Sequence, residues 1–300
     1  MTPPLFVQAF RLPFLTGSLL PVIITAFWAL TSGPVIWSMA LLTLIGVGAL
    51  QVGANLINDF YDAQGSDPLN RAPSPFSGGS RVIQQGKMPV RTVYWLSMSF
   101  FGLALACGVV LALWGRPWAL ALGLCGLLGG VFYSANPVSF MSRGLGELII
   151  FLVFGPVLTL GAGYIFTGHF NAGAFWLGLP QAFLITAVLW INQFPDLPAD
   201  RAAGKRNLVV RMGTRTARLL YVLLMLAAFA SQLFLVKVLA FTPWLYLALC
   251  ALPLSLKACG LAWRHHDQPV QLIPAQGLTI ITHLSVGLLM VIGLLMNLWR

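Results

Sequence analysis

Long apolar segments are the feature that most constrains how this chain can fold. A membrane-spanning helix needs about 20 predominantly apolar residues, and segments of that length recur from one end of the sequence to the other. Only 8% of the residues are charged, against about 25% in soluble domains, which leaves too little charge for a water-facing surface. We therefore predict an all-α integral membrane protein with nine transmembrane helices in a single domain, residues 1–300. The predicted spans are 13–31, 35–57, 92–113, 117–134, 146–166, 172–192, 217–240, 243–263 and 276–298.

The basic residues give these spans an orientation. The chain has 17 Lys and Arg against 7 Asp and Glu, and cytoplasmic loops of membrane proteins carry an excess of Lys and Arg. With nine spans and a cytoplasmic N-terminus, only Arg116, Lys237 and Arg300 fall on the opposite side. Two loops, 58–91 and 193–216, are long and polar, and this topology makes both of them caps on the cytoplasmic face. Because the chain has too little charge for a water-facing surface, we expect the basic residues to orient the protein in the lipid bilayer and not to bind nucleic acid.

Two further features narrow the class of protein. The N-terminal segment lacks a compact charged region and a small-residue cleavage site, so we do not expect a cleaved signal peptide. The four cysteines lie in apolar stretches without a CxxC pair, which is typical of small buried side chains and gives no disulfide or metal-site spacing.

The first of two acidic clusters follows the second predicted span. Asn55, Asp59 and Asp62 have the i, i+4, i+7 spacing that places side chains on one face of a helix. Gly65 allows a turn that returns Asp67 toward the same point. We predict that these polar groups converge at the end of a membrane helix.

The second cluster follows the sixth predicted span. Asn192, Asp196 and Asp200 are spaced i, i+4, i+8, again on one helical face. Pro195 and Pro198 lie among them and are expected to kink or restart the helix.

Carboxylates at the end of a membrane helix need a positive partner, since each costs about 2.5–3.5 kcal/mol at the helix centre on insertion scales. Oxygen ligands without His or Cys favour Mg²⁺ or Ca²⁺. The loop between 71 and 91 adds Arg81 and Lys87 around a Gly-Gly-Ser turn at 78–80, and the second loop adds Lys205 and Arg206. Backbone N–H groups and guanidinium groups of this kind bind phosphate oxygens, so the pattern predicts a diphosphate site.

Simpler interpretations exist for single residues. A lone Lys or Arg in such a loop is an orientation signal more often than a ligand, and a lone intramembrane Asp can pair helices or relay a proton. Neither accounts comfortably for five of seven acids gathered in two clusters on one face. Asp267, beside His265 and His266, reads as part of a solvated loop, and His283 reads as a helix-packing residue.

Both clusters resemble the two Asp-rich motifs of the UbiA-type intramembrane aromatic prenyltransferase superfamily, over essentially the whole chain. Segment 200–213, Asp-Arg-Ala-Ala-Gly-Lys-Arg-Asn-Leu-Val-Val-Arg-Met-Gly, is similar to the menaquinone branch, the 1,4-dihydroxy-2-naphthoate polyprenyltransferases. Segments 133–137, 143–147 and 154–156 are similar to the same branch.

The resemblance implies a Mg²⁺-dependent transfer of a polyprenyl group from polyprenyl diphosphate to an aromatic acid acceptor, in a bacterial-type cytoplasmic (inner) membrane, with the active site toward the cytoplasm. Asp59, Asp62, Asp196 and Asp200 are then the catalytic metal ligands and Asp67 a fifth, supported by Asn55, Asn58 and Asn192. Arg81, Lys87, Lys205 and Arg206 would bind the diphosphate. Tyr61, Tyr133, Arg143 and Glu147 would line the cavity or bind the acceptor.

Several alternatives stay open at this point. Arg143 and Glu147, spaced i, i+4, are equally consistent with a salt bridge at a helix start. The acceptor is predicted as 1,4-dihydroxy-2-naphthoate, with 4-hydroxybenzoate, homogentisate or a tetrapyrrole as alternatives. A cation-coupled transporter is the rival from another class, but its acids are expected near the membrane midplane in two matched halves.

Overall fold

The computed structural model describes residues 4–71 and 73–299. Within these ranges it is all-helical, and nine helical segments are long and apolar enough to cross a membrane. The predicted fold class and number of spans are thereby confirmed. The predicted single domain also takes in Met1, Thr2, Pro3, Ala72 and Arg300, which lie outside the described residues. The spans, in chain order, are α1 Leu12–Ala29, α2 Trp37–Asp62, α3 Val90–Leu113, α4 Pro117–Ser134, α5 Gly146–Thr167, α6 Ala172–Ala202, α7 Thr214–Lys237, α8 Pro243–His265 and α9 Pro269–Leu298.

The observed spans depart from the predicted ones chiefly where polar residues extend a helix. α2 continues to Asp62 and not only to 57, α6 continues to Ala202 and not only to 192, and α9 already begins at Pro269. Hydropathy measures apolar length, whereas a helix persists as long as its backbone hydrogen bonds do. Both acidic clusters therefore lie on helical turns.

Two of the spans are interrupted where they cross. A Cβ atom on Gly155 would stand 2.3 Å from Cβ of Ala182, and one on Gly178 would stand 2.6 Å from the carbonyl carbon of Gly155. Only glycine permits this backbone-to-backbone approach of α5 and α6. The helical pieces on either side of the two breaks are Gly146–Phe154, Pro156–Thr167, Ala172–Leu177 and Leu179–Ala202.

The sequence predicts either a kink or a restart of the helix at Pro195 and Pro198, and the restart does not occur, because Leu179–Ala202 is continuous through both prolines. A proline removes one backbone donor and crowds the preceding turn. Contacts from outside the helix stabilise these turns: Asn70 donates to Asp196, and Asn207 donates to Asp200.

Burial divides the bundle into a centre and an edge. The most apolar window of α6 is 67% buried and that of α4 only 11%. α6 packs against α5, α7 and α9, while α4 packs against α2 and α3 at the edge. The largest apolar core joins α6 to the last three spans.

The two long polar loops lie at the same end of the bundle. Asn70, from the first loop, contacts Asp196, and Lys205, from the second loop, pairs with Asp62 of α2. The short helices at this end are Leu5–Ala9, Asp67–Leu69, Phe140–Arg143 and Leu208–Met212. The predicted assignment of this end to the cytoplasm stays a prediction.

Candidate active site

A cavity of about 1070 Å³ lies between α1, α2, α3, α4, α5 and α6. Along α2 it is lined from Leu42 to Asp62, which corresponds to about 30 Å at 1.5 Å per residue. Leu42 marks an apolar end, whereas the other end carries Asp62, Tyr133 and Asp200. Within the described ranges, α7, α8 and α9 supply none of the lining. The cavity is thus a long apolar chamber that ends in a polar site beside the two loops.

Asp59 lies behind this polar end and is only 2% exposed. The Arg11 guanidinium forms an ion pair with its Oδ1 atom, and the backbone N–H of Ser80 donates to the same oxygen at 3.3 Å. Arg11 also lines the cavity and donates to Asn58 Oδ1 at 3.3 Å. In the sequence, Arg11 is one of the basic residues that orient the spans, and nothing beyond its position marks it as a site residue. Its position just before the first span, on the side assigned to both loops, was the available hint of a role in the site.

Asp62 and Asp200, one from each cluster, share a cation. Lys205 Nζ lies 2.8 Å from Asp62 Oδ1 and 3.4 Å from Asp200 Oδ1. Burial alone lowers the pKa of a lysine, but here the two carboxylates outweigh burial and raise the pKa of Lys205 above its ordinary value. Asn58 Nδ2 completes this corner by donating to Asp62 Oδ2 at 3.1 Å. The predicted convergence of the two clusters thus centres on one ammonium group.

Asp67 returns toward the first cluster, as the turn at Gly65 predicted. Its carboxylate accepts a hydrogen bond from Gln84 Nε2 at 2.9 Å, and its backbone carbonyl accepts one from Arg81 Nη1 at 2.7 Å. Burial, followed by the negative charges of Asp62 and Asp59, raises the pKa of Asp67 to about 7. The group therefore titrates near neutral pH.

The second cluster is held mainly by neutral donors. Asp196 accepts from Asn70 Nδ2 at 2.8 Å and from the backbone N–H of Gly78 at 3.1 Å. Asp200 Oδ2 accepts from Asn207 Nδ2 at 2.9 Å. The backbone N–H of Gly78 donates to Asp196 and that of Ser80 donates to Asp59, so the Gly-Gly-Ser turn connects the two clusters. The sequence predicts instead that these N–H groups face phosphate.

Gly79 shows how closely this turn approaches the acids. Its φ is +76°, and a Cβ atom there would stand 3.0 Å from Asp67 Oδ2 and 3.2 Å from Asp59 Oδ1. A side chain at this position would enter the acidic cluster in a backbone conformation that favours glycine.

The predicted diphosphate residues are placed unequally. Arg81, Lys87 and Lys205 line the cavity, although Lys87 is exposed and donates to Gln8 Oε1 at 2.8 Å. Arg206 is exposed and does not line it. Lys205 and Arg206 are adjacent, so only one of them faces the carboxylates.

Of the residues predicted to line the cavity or bind the acceptor, Tyr133 lines it. Tyr61 packs edge-on against Phe60, with ring centroids 5.2 Å apart, and lies off the lining. Arg143 is exposed and donates to the carbonyl of Pro137 at 2.6 Å. Glu147 is buried but off the lining, and it accepts hydrogen bonds from other groups, so the alternative Arg143–Glu147 salt bridge does not form in the described structure.

The three supporting amides predicted from the sequence, Asn55, Asn58 and Asn192, all line the cavity. Asn55 donates to the carbonyl of Phe10 at 3.3 Å, which fixes the N-terminal segment beside α2. Asn192 accepts from Gln276 Nε2 of α9 at 3.0 Å.

The oxygen-rich donor set fits a hard divalent cation. Asp59 Oδ2 is buried and has no hydrogen-bond partner in the described part of the chain, which leaves one carboxylate oxygen for a cation. No group of three or more His, Cys, Asp or Glu side chains forms a ready metal cage within residues 4–71 and 73–299. This arrangement suits Mg²⁺, which uses one or two carboxylates and completes its shell with water and phosphate oxygens.

Fold and site together define an integral membrane protein whose apolar chamber ends in paired carboxylates and cations. The UbiA prenyltransferase family model matches residues 18–284, and the chain belongs to this family. A 1,4-dihydroxy-2-naphthoate octaprenyltransferase of Mycobacterium tuberculosis is 35% identical over 229 residues, covering 75% of this chain and 74% of the relative. The enzyme of the same description from Bacillus subtilis is 27% identical over 286 residues, covering 95% and 90%.

Solved structures agree on the fold. The apo structure of a UbiA homolog from Aeropyrum pernix superposes with a TM-score of 0.74 at 16% identity, covering 99% of this chain and 100% of that one. A UbiA homolog from Archaeoglobus fulgidus bound to DMAPP and Mg²⁺ superposes with a TM-score of 0.59 at 17% identity, covering 95% and 98%.

Proposed function

We propose that this protein transfers a polyprenyl group from polyprenyl diphosphate to 1,4-dihydroxy-2-naphthoate in a Mg²⁺-dependent reaction of menaquinone biosynthesis. The observation that carries the proposal is a cavity with carboxylates and Lys205 at one end and about 30 Å of apolar wall beyond them. The names of the relatives from Mycobacterium tuberculosis and Bacillus subtilis support this acceptor, and the ligands of the Archaeoglobus fulgidus structure support the donor and the metal.

The donor has an anionic head and an apolar tail, and the cavity matches both. In the proposal, Asp59, Asp62, Asp67, Asp196 and Asp200 would hold Mg²⁺, which when bound would supply positive charge for the leaving diphosphate. Arg81 and Lys205, which line the same end, add positive charge for the diphosphate oxygens. Arg11 joins this set because its guanidinium reaches the cavity.

The chemistry breaks the allylic C–O bond and forms a C–C bond to the aromatic ring, with loss of the carboxyl group as CO₂ and release of diphosphate. The allylic carbon carries positive charge during this exchange, so water must be kept away from it. The apolar wall along α2, α4 and α6 supplies that protection, and Tyr133 offers a π face at the polar end.

The proposed setting is a bacterial-type cytoplasmic membrane with the polar end toward the cytoplasm, where positive-inside charge places both loops. α4 lines the chamber and is also the least buried span. An apolar tail would therefore leave the chamber into the bilayer past α4. A transporter is disfavoured because the acids lie at helix ends beside phosphate-binding groups and not at the midplane.

The test incubates purified protein in nanodiscs with octaprenyl diphosphate and Mg²⁺, in parallel with 1,4-dihydroxy-2-naphthoate, 4-hydroxybenzoate or homogentisate. We expect a decarboxylated prenylated product from the naphthoate, identified by mass spectrometry and abolished by EDTA. Product from another acceptor alone would overturn the acceptor assignment, and no Mg²⁺-dependent product from any acceptor would overturn the prenyl transfer itself.

A further inference from the structure

Glu147 is a buried carboxylate that belongs to neither acidic cluster. It is 3% exposed and lies in the first turn of α5, outside the cavity lining. An acceptor that carries its own carboxylate would be repelled by it at close range. Direct binding of the acceptor, which the sequence suggested, is therefore a poor explanation for this residue.

The contacts of Glu147 point toward the second cluster. Its Oε1 atom accepts hydrogen bonds from Gln193 Nε2 at 3.0 Å and from the backbone N–H of Leu208 at 3.1 Å. Gln193 lies on α6 one turn before Asp196, and Leu208 follows Asn207 directly. Glu147 Oε1 thus links the start of α5 to α6, which carries the second cluster, and to the segment Asn207–Leu208 that follows α6.

Asn207 completes the connection to a proposed metal ligand. It is 1% exposed, its Nδ2 donates to Asp200 Oδ2 at 2.9 Å, and its Oδ1 accepts from the N–H of Val210 at 2.8 Å. Both polar atoms of the Asn207 side chain are hydrogen-bonded, and Glu147 accepts from the N–H of Leu208, the next residue. The Asp200 carboxylate that Asn207 contacts therefore has little freedom to rotate.

This arrangement is costly to keep. A buried carboxylate pays a large desolvation penalty unless it is paired and fully hydrogen-bonded. Glu147 Oε2 has no hydrogen-bond partner in the described part of the chain, and Glu147 pairs with no cation there. A cost of this kind is expected at a functional site.

We propose that Glu147 is a positioning residue for the second cluster: through Gln193 and the Asn207–Leu208 segment it fixes Asp200 for cation binding. The inference rests on the proposed function, because it assigns Glu147 to the metal–diphosphate end of that reaction. Partners in the second coordination shell typically change metal affinity by 10- to 100-fold when removed.

The experiment measures Mn²⁺ binding by electron paramagnetic resonance, in the presence of inorganic diphosphate, for wild type, Glu147→Ala, Glu147→Gln, Asn207→Ala and the double variant Glu147→Ala/Asn207→Ala. We expect Glu147→Ala to raise the Mn²⁺ Kd by about tenfold or more and Glu147→Gln, which keeps Oε1, to restore most of the affinity. The double variant should be little worse than Asn207→Ala, because residues that act through one another are not additive. The KM for the acceptor should stay close to the wild-type value, since Glu147 lies outside the cavity lining.

Unchanged Mn²⁺ binding in Glu147→Ala, or fully additive effects in the double variant, would overturn the inference. A higher acceptor KM at unchanged Mn²⁺ affinity would return Glu147 to acceptor binding and also overturn it. If Glu147→Ala does not fold, as judged by its thermal unfolding, Gln193→Ala tests one arm of the same link, and normal Mn²⁺ affinity there would contradict the proposal. Wild-type protein that binds Mn²⁺ without making prenylated product would count against the proposed function and not against Glu147.

Discussion

The two acidic clusters have similar spacing in the sequence but are neutralised in different ways. In the first, Asp59 is covered by Arg11 and lies off the cavity lining. In the second, Asp196 lines the cavity, and its described side-chain and backbone partners, Asn70 and Gly78, are neutral. Lys205 is common to both clusters through Asp62 and Asp200.

This difference indicates a division of work. A carboxylate held by a guanidinium has its charge compensated within the protein, whereas one held by amide dipoles keeps its charge for a ligand. Asp196 is therefore expected to be the stronger attractor of a divalent cation, and Asp59 to anchor the N-terminal segment as well.

The largest expected effect comes from the carboxylates themselves. Asp196→Asn and Asp59→Asn should each lower kcat/KM by about 10²–10³, as does removal of a group that stabilises developing charge. The Mg²⁺ concentration for half-maximal rate should rise more in Asp196→Asn than in Asp59→Asn. Asp267→Asn, at an exposed carboxylate away from the site, is the matched control and should behave as wild type. Equal Mg²⁺ requirements in Asp196→Asn and Asp59→Asn would contradict the expectation that Asp196 attracts the cation more strongly than Asp59.

Lys205→Gln tests the cation that the clusters share. Removing one partner of a buried ion pair costs about 3–5 kcal/mol, so we expect a clearly lower unfolding temperature together with lower activity. Lys87→Gln is the comparison, because Lys87 is exposed and its ammonium group donates to the neutral side chain of Gln8. An unfolding temperature of Lys205→Gln equal to that of Lys87→Gln would show that the bridge between the clusters contributes nothing.

Gly79→Ala and Gly86→Ala separate backbone strain from intrusion into the acids. Both glycines have positive φ, +76° and +66°, so both variants carry about 1–2 kcal/mol of strain. Only at Gly79 does the new Cβ meet carboxylates, since nothing lies within 4 Å of it at Gly86. We expect activity to fall about tenfold more in Gly79→Ala, equivalent to about 1.4 kcal/mol. Equal losses would mean that the turn does not serve the clusters.

Tyr133→Phe is expected to have the smallest effect and to leave both clusters undisturbed. Loss of one hydroxyl changes binding by about 0.5–1.5 kcal/mol, so the acceptor KM should rise by less than about tenfold. The Mg²⁺ requirement should not change. A shift in the Mg²⁺ requirement would place this ring with the acids and not with the acceptor.

The periodicity and composition of the sequence are sufficient to predict the helical membrane fold and part of the candidate site. The nine spans follow from apolar length, and the position of Asn55, Asp59 and Asp62 on one helix follows from their spacing, both of which are local properties. The spacing does not show that Asp59 lies off the cavity lining that Asn55 and Asp62 share. The continuity of α6 through Pro195 and Pro198 was not predictable, because these turns accept hydrogen bonds from Asn70, 126 residues before Asp196, and from Asn207, which lies beyond the end of the helix.

Side-chain direction at the helix ends was the main limit. Tyr61 neighbours Asp62 but packs on Phe60, and Arg206 neighbours Lys205 but faces away from the acids. Adjacent residues on a chain point in different directions, and only the packed structure decides which of them meets the cavity. Arg11 was not predicted as a site residue, because its partner Asp59 lies 48 residues away in the sequence and only the folded chain brings the two together.

In the proposed function, both acidic clusters bind one metal–diphosphate unit at the polar end of the chamber. The most direct measurement is anomalous diffraction from crystals grown with Mn²⁺ and an unreactive prenyl thiodiphosphate. We expect Mn²⁺ bound to carboxylates of both clusters, Asp62 and Asp196 among them, at ligand distances of about 2.0–2.1 Å, as is typical of Mg²⁺, with the prenyl tail along α2. Mn²⁺ bound outside the cavity, or to one cluster with the diphosphate elsewhere, would contradict it.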